Sequence, residues 1–443
     1  MKKYLFLVAL CSFALPAAAL DPLGAYRVRP PQGCVDKDVT TQALNLEDII
    51  QISLCTNPSL AAQYMGVKAQ EATLGVARAE YLPSVKLTGT GQVTGTKVEH
   101  GSYTQDEPLS GKAEASWLLF DFGGREARNS GTRAYVKAAA ENYNAAVHDL
   151  LLSVQTAYLN LLAAQESLVS AKASLDTYKQ SYEEAQKRYK LGMVSLSDKL
   201  QAKTRYEQSL LAVVQHENVV KQNSGTLAVL INLQPDTFIT LQNPVYDEQV
   251  THIKNDDVKA LMAQALEKRP ELLAQENTQK AAKANLTTAR AHMMPTVSAV
   301  ASAALGDNWK HNSLYGVNNA AGLMITWPIF SGFSNMYAAE QASYLYKQAQ
   351  NKTDALKRQV ENEVWSAYQN YKTAERSYEI SQTVLESAEE NHRVAFRYYE
   401  VGKTDILNLL SAVAQLADAR QNKITAFYSL LLSKANLYRS IGE

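Results

Sequence analysis

Apolar and polar positions follow two different periods along this chain, in an order that occurs twice. Residues 59–82 place apolar side chains at helical spacing, 84–94 and 112–120 alternate, and 124–190 and 195–232 return to the helical period. The same order follows at 270–294, 297–305, 321–327, 333–399 and 404–440. The pattern predicts helix, strand, strand, long helix, helix, in duplicate. Its strongest stretch is a seam spaced alternately by four and three residues, from Val136, Ala140, Tyr143 and Val147 through Val154 and Leu161 to Tyr178, Tyr182, Ala185 and Tyr189. Such a heptad repeat predicts helices that supercoil left-handedly around neighbours. The second half keeps the register from Val360, Val364, Ala367 and Tyr371 to Tyr399, interrupted by Ser381 and His392.

Individual residues carry the duplication. Pro58 and Pro270 both open helical segments and lie 212 residues apart, as do Pro83 and Pro295 at their close. Trp117 answers Trp327 at a shift of 210, and at that shift Tyr158 meets Tyr368, Tyr189 meets Tyr399, and Gly192 meets Gly402. The expected organisation is therefore a first repeat at 45–233, a linker at 234–256 and a second repeat at 257–443, preceded by an irregular segment at 20–44. A helix over 124–190 would run about 100 Å. Two shorter helices laid end to end match it, which predicts a rod with helix hairpins at one end and strands at the other.

The strands sort by parity. Val85 and Leu87 alternate with Lys86 and Thr88, and Ala113, Ala115, Trp117 and Leu119 with Lys112, Glu114 and Ser116. Val297 to Leu305 and Ala321 to Trp327 share this one-faced pattern. With helices too long to fold back over so small a sheet, an outward apolar face bordered by tryptophans suits an outer-membrane β-barrel. Four strands cannot close a barrel, for which about eight are needed. Two copies would supply eight strands and three would supply twelve, and a lone chain would expose sheet edges to lipid. The monomer is not expected to be the working unit.

Composition narrows the classes. Lys and Arg number 44 against 44 Asp and Glu, so no net charge draws the chain to nucleic acid. No mature stretch offers an uninterrupted apolar run long enough for a membrane-spanning helix. Lys2 and Lys3, the apolar run from Tyr4 to Leu15 and Ala17-Ala18-Ala19 read as a secretory signal peptide over 1–19. Cys11 leaves with it. Cys34 and Cys55 then remain in an oxidising compartment and are expected to form a disulfide, the alternative being two thiols. No phosphate-binding loop, nucleophile elbow or metal-ligand spacing occurs, so neither an enzyme nor a cofactor or metal is expected.

With these features in order, the chain resembles the TolC family of outer-membrane channel proteins used in type I secretion and multidrug efflux. The carriers are the duplicated halves, the Tyr81-Leu82-Pro83 junction, the run from Trp117 to Gly124, and the hairpin from Arg188 to Ser195. The resemblance implies a mainly α chain with a small β part: duplicated helix hairpins forming a periplasmic α-barrel, and four strands contributed to a trimeric twelve-stranded barrel in outer-membrane lipid. It implies a homotrimer, a periplasmic adaptor, and an inner-membrane ABC or RND-type transporter whose docking opens the duct. Tyr189, Gly192, Ser195, Tyr399, Gly402 and Thr404 become docking candidates at the hairpin tips. For the gate, the family's paired acidic positions fall on Asn408 and Ser411, so the carboxylate ring is absent as such. Asp198, Tyr399, Asp405 and Asn408 are the constriction candidates, with Tyr399 bracing through its hydroxyl. For Asp198 and Asp405 the alternative is a favourable charge at a helix start. The competing function is a periplasmic coiled-coil adaptor or a structural stalk.

Overall fold

The computed structural model describes residues 43–97, 103–106, 108–237, 239–242, 257–308 and 313–443. The signal peptide, Cys34 and most of the linker lie outside them. In chain order the elements are α1 (Leu46–Thr56), α2 (Pro58–Ala79), β1 (Ser84–Gly91), β2 (Thr94–Lys97), β3 (Tyr103–Asp106), β4 (Pro108–Phe120), α3 (Gly124–Lys190) and α4 (Leu196–Leu230). They are followed by α5 (Val258–Lys268), α6 (Pro270–Ala291), β5 (Thr296–Asn308), β6 (Ser313–Thr326), α7 (Ser334–Glu400) and α8 (Ile406–Ile441). Both long helices, α3 and α7, have 67 residues.

Several elements differ from the sequence expectation. The eleven-residue helices α1 and α5 are separate from the longer helices that follow them, because Pro58 and Pro270 each start a new helix. Asn57 covers the first of these joints: its Oδ1 accepts from the backbone N–H groups of Ser59 at 3.0 Å and Leu60 at 3.2 Å. The alternation read over 84–94 stops at Gly91, and β2 pairs with β3 as a separate two-stranded ribbon. β4 starts at Pro108, ahead of the expected 112, because backbone pairing continues through Ser110 and Gly111, where no apolar alternation marks it. The edges of the irregular segment and the linker are not loose. Leu44 donates to Thr240 O at 3.0 Å, and Gln242 donates to Leu44 O at 2.9 Å. Leu44, Ile239 and Leu241 are buried in one apolar cluster with Val154, Tyr158 and Leu161 of α3.

The chain forms two compact units that cut across the sequence repeats. One contains Val67–Lys137 and Thr278–Gln348, with the whole four-stranded sheet. There α3 and α6 approach closely: a Cβ on Gly131 would sit 3.2 Å from Ala284 Cβ, and one on Gly124 3.3 Å from Ala291 Cβ.

The other unit holds the helical segments Ala138–Asn277 and Ala349–Glu443 together with α1. The heptad seam of α3 is buried at Leu150, Val154, Ala157, Leu161, Ala164 and Ala185. A second stripe of the same helix is buried as well, at Ser167, Ser174, Ser181 and Arg188. Serine side chains let another helix approach, and Gln421 Nε2 of α8 donates to Ser167 Oγ at 3.1 Å. Ser381, an interruption of the α7 seam, is buried with its hydroxyl donated to Tyr378 O at 2.7 Å. Cys55, near the end of α1, is disulfide-bonded.

Where α5 meets α6, charged side chains from four helices meet. Arg269 is paired with Glu363 of α7 at 2.5 Å, while Arg439 of α8 pairs with Asp149 of α3 at 2.7 Å and with Glu271 of α6. Burial alone would raise the Glu363 pKa; hydrogen bonds from Arg269 and Gln359 outweigh it and hold the carboxyl below its usual value. A carboxylate with a depressed folded-state pKa contributes stability that is present above its unfolded pKa and lost as pH falls through the folded one. Acidification below about pH 4 should therefore destabilise the helical unit partly through this site. Melting followed by circular dichroism should show a shallower acid slope in Glu363→Gln; an unchanged slope would remove Glu363 from the acid response.

Candidate functional site

Two regions concentrate the functional candidates, and the sheet is the first. Its order is β1-β4-β5-β6, all neighbours antiparallel, which leaves β1 and β6 as open edges. The register carries one parity across all four strands: Val85 lies opposite Ala115, Ala115 opposite Ala301, and Ala301 opposite Ala321. Leu87, Leu323 and Ile325 belong to the same apolar face and are 80%, 71% and 72% exposed. The opposite face carries Lys86, Thr88, Lys112, Glu114, Ser116, Ser298 and Ser302.

At one end of the sheet an aromatic border is fixed by hydrogen bonds. Trp117 Nε1 donates to Tyr81 O at 2.9 Å, and Trp327 Nε1 donates to Met293 O at 3.3 Å. The two repeats thus anchor an equivalent indole on an equivalent helix end. Arg125 seals the first junction, donating to Leu118 O at 2.6 Å and Leu119 O at 3.0 Å, with its guanidinium 5.0 Å over the Tyr81 ring. Each strand-to-helix turn uses two left-handed residues, Phe122-Gly123 and Gly332-Phe333. A Phe in that region costs about 1 kcal/mol. Both phenylalanines pack edge-on against a neighbour, Phe120 or Phe330, and remain more than half exposed.

The second region is the pair of helix hairpins, α3–α4 and α7–α8. Both turns are built alike. Gly192 N–H donates to Tyr189 O at 3.0 Å and Met193 N–H to Arg188 O at 2.9 Å; Gly402 and Lys403 repeat those bonds to Tyr399 and Tyr398 at 3.0 and 2.9 Å. These are helix ends closed by a left-handed glycine, with φ of +69° at Gly192 and +73° at Gly402. The following helix is capped in each case. Ser195 Oγ accepts from Asp198 N, and Ser195 N–H donates to Asp198 Oδ2, both at 3.1 Å. In the second copy Asp405 Oδ1 accepts from Asn408 N at 2.9 Å, and Asn408 Nδ2 donates to Thr404 Oγ1 at 3.0 Å. The carboxylate has moved from the third helical position, Asp198, to the cap, Asp405, so both acidic gate candidates also satisfy a helix start.

The tips pack on each other through Ala185, Ala202, Tyr399, Ile406, Leu409, Leu410 and Val413. Tyr399 is buried, with the Arg188 guanidinium as the polar group facing its hydroxyl. Burial pushes that hydroxyl's pKa up, opposed by Arg188 and reinforced by Asp198 and Glu184. Asp198 is close enough for its charge to act on the Tyr399 hydroxyl, while Asp405 and Asn408 are exposed. Arg188, which the sequence did not single out as functional, is a polar link between the hairpins at their tips. It is buried, lies 4.7 Å over the Tyr399 ring and donates to Glu400 O at 2.6 Å. Its only signal in the sequence is its place at the end of the small-residue stripe. Outward from the tips, Leu191, Met193, Leu196, Val401 and Leu407 are exposed, and Lys199 lies 5.1 Å over the Tyr189 ring.

The outer membrane efflux protein family model matches residues 49–233 and 261–443, which is most of the chain and both repeats. The chain belongs to the outer membrane efflux protein family. Among relatives, it is similar to Protein CyaE of Bordetella pertussis, 27% identical over 411 residues, covering 90% of this chain and 84% of that one. It is also similar to the probable efflux pump outer membrane protein TtgC of Pseudomonas putida, 26% identical over 418 residues, with 90% and 82% covered. The solved outer-membrane channel OprN matches its fold with a TM-score of 0.78 at 19% identity, over 94% of this chain and 98% of that one. As an efflux-family member the protein is a passive duct and not an enzyme, placed in the outer membrane with its helical part extending into the periplasm. Among the described residues no helix is long and apolar enough to cross a membrane.

Proposed function

We propose that the protein is a homotrimeric exit duct for type I protein secretion, multidrug efflux or both, opened when a periplasmic adaptor and an inner-membrane ABC or RND-type transporter dock at its hairpin tips. The observation that carries this reading is the pair of open sheet edges. Because β1 and β6 run antiparallel, β6 of one copy can pair with β1 of the next in the same alternation, and repeated copies close a barrel without a lipid-exposed edge. Three copies of the four-stranded sheet give twelve strands, enough for a lumen. The relative TtgC is named as an efflux pump component, which supports the efflux side of the reading.

In this reading the exposed tip residues Tyr189, Gly192, Ser195 and Gly402 and the half-buried Thr404 serve docking, while buried Tyr399, with Asp198 acting on it through its charge, holds the resting state. Cys34 is the proposed partner of Cys55. The test is single-channel conductance of purified protein in planar bilayers. Asp198→Ala combined with Tyr399→Phe should raise resting conductance or remove block by divalent cations. A double variant that conducts and blocks like the wild type would place the constriction elsewhere.

A further inference from the structure

The polar face of the sheet is unevenly charged. In the register Lys86 of β1 stands opposite Glu114 of β4, and Lys112 stands opposite Thr88. Lys112 and Glu114 are two residues apart on one strand, so they share a face, and Lys112 Nζ lies 2.5 Å from Glu114 Oε1. Two lysines thus share one carboxylate, leaving one positive charge in excess. The rows continue into β5 and β6 without charge, through Ser302 and Ala320 on the first row and Ala304 and Asn318 on the second. The remaining charged position of the four strands, Asp307, falls on the opposite alternation at the far end of β5.

The apolar parity faces lipid, so this face lines the lumen of the closed barrel. We infer that Lys86, Glu114 and Lys112 form an anion-favouring selectivity band in the barrel, repeated once per copy as three cationic patches separated by neutral β5–β6 arcs. The inference rests on the trimeric-duct reading. The two charged rows lie about 7 Å apart along the strands, within a Debye length of about 10 Å at 0.1 M salt, so they act as one patch. Charged side chains lining a pore select by sign without binding tightly, which suits an exit that must release what enters it. The band's sign is opposite to that of Asp198 at the hairpin, so the two sites would discriminate independently. Its favoured solutes are those carrying carboxylate or phosphate groups, and its effect should fade at high ionic strength.

The experiment is the reversal potential of wild-type channels in planar bilayers under a potassium chloride gradient at low ionic strength. Lys86→Gln combined with Lys112→Gln should raise the potassium-to-chloride permeability ratio by about twofold or more. Glu114→Gln should move that ratio the other way, and both differences should collapse near 1 M salt, where the Debye length is about 3 Å. Channels that insert normally yet show the same ratio in all three proteins would overturn the band while leaving the duct reading intact. If wild-type protein forms no detergent-stable trimer and no pore, the duct reading fails and takes the band with it. The opposite signs expected for the lysine and glutamate variants separate a charge effect from general damage to the barrel.

Discussion

Arginine at Leu323 or Ala115 is expected to deplete assembled protein from the outer membrane, whereas arginine at Ser116 or Thr326 leaves most of it in place. Leu323 and Ala115 lie on the alternation that runs unbroken from Val85 to Ala321 across the sheet. An arginine held in lipid there costs about 2–4 kcal/mol near the bilayer midplane. A trimer carries the substitution three times, so the total of about 6–12 kcal/mol is comparable with the whole stability of about 5–15 kcal/mol of an ordinary folded domain. Ser116 and Thr326 take the other alternation, where a guanidinium can stay hydrated. Quantifying heat-modifiable trimer in outer-membrane fractions of the four variants decides the matter. Equal depletion on both parities would refute the face assignment.

The second large effect is expected at the hairpin tips. Replacing Gly192 and Gly402 together by valine puts a β-branched residue into left-handed backbone at both turns. No atom lies within 4 Å of a Cβ built at either glycine, so the penalty is backbone strain without a clash. It amounts to about 1–2 kcal/mol per site. That is enough to shift the Schellman-type bonds of each turn and the caps at Ser195 and Asp405, yet small against the apolar cluster that joins the hairpins. Trimer levels should stay near normal while export falls steeply in a secretion or drug-susceptibility assay. Export at wild-type level in the double variant would detach docking from these turns.

Much of the architecture was legible because the helices are long and their period is sustained. The reading of 124–190 coincides with α3, and the turn glycines fall where the left-handed φ values occur. The parity of β4 and β5 was legible for the same reason, since alternation reports a face directly. What escaped the sequence depends on partners distant along the chain. Arg188 meets Glu400 across 212 residues, and a charged residue ending a row of serines carries no apolar signal. The packing of Leu44 on Leu241 needs two segments that look irregular alone. β2 and β3 are four-residue strands, too short for alternation to distinguish them from loop. The acidic candidates show another limit: a carboxylate near a helix start fits a gate and a cap equally well by sequence. The hydrogen bonds of Asp198 and Asp405 establish the cap, and only conductance reports on the gate.

Completion of the open four-stranded sheet by other copies of the chain is measured by native mass spectrometry of the mature protein, extracted from outer membranes in mild detergent. One dominant species of three chains is expected, dissociating to single chains only on denaturation. A stable, pore-forming species of one or two chains would rule out the three-copy barrel.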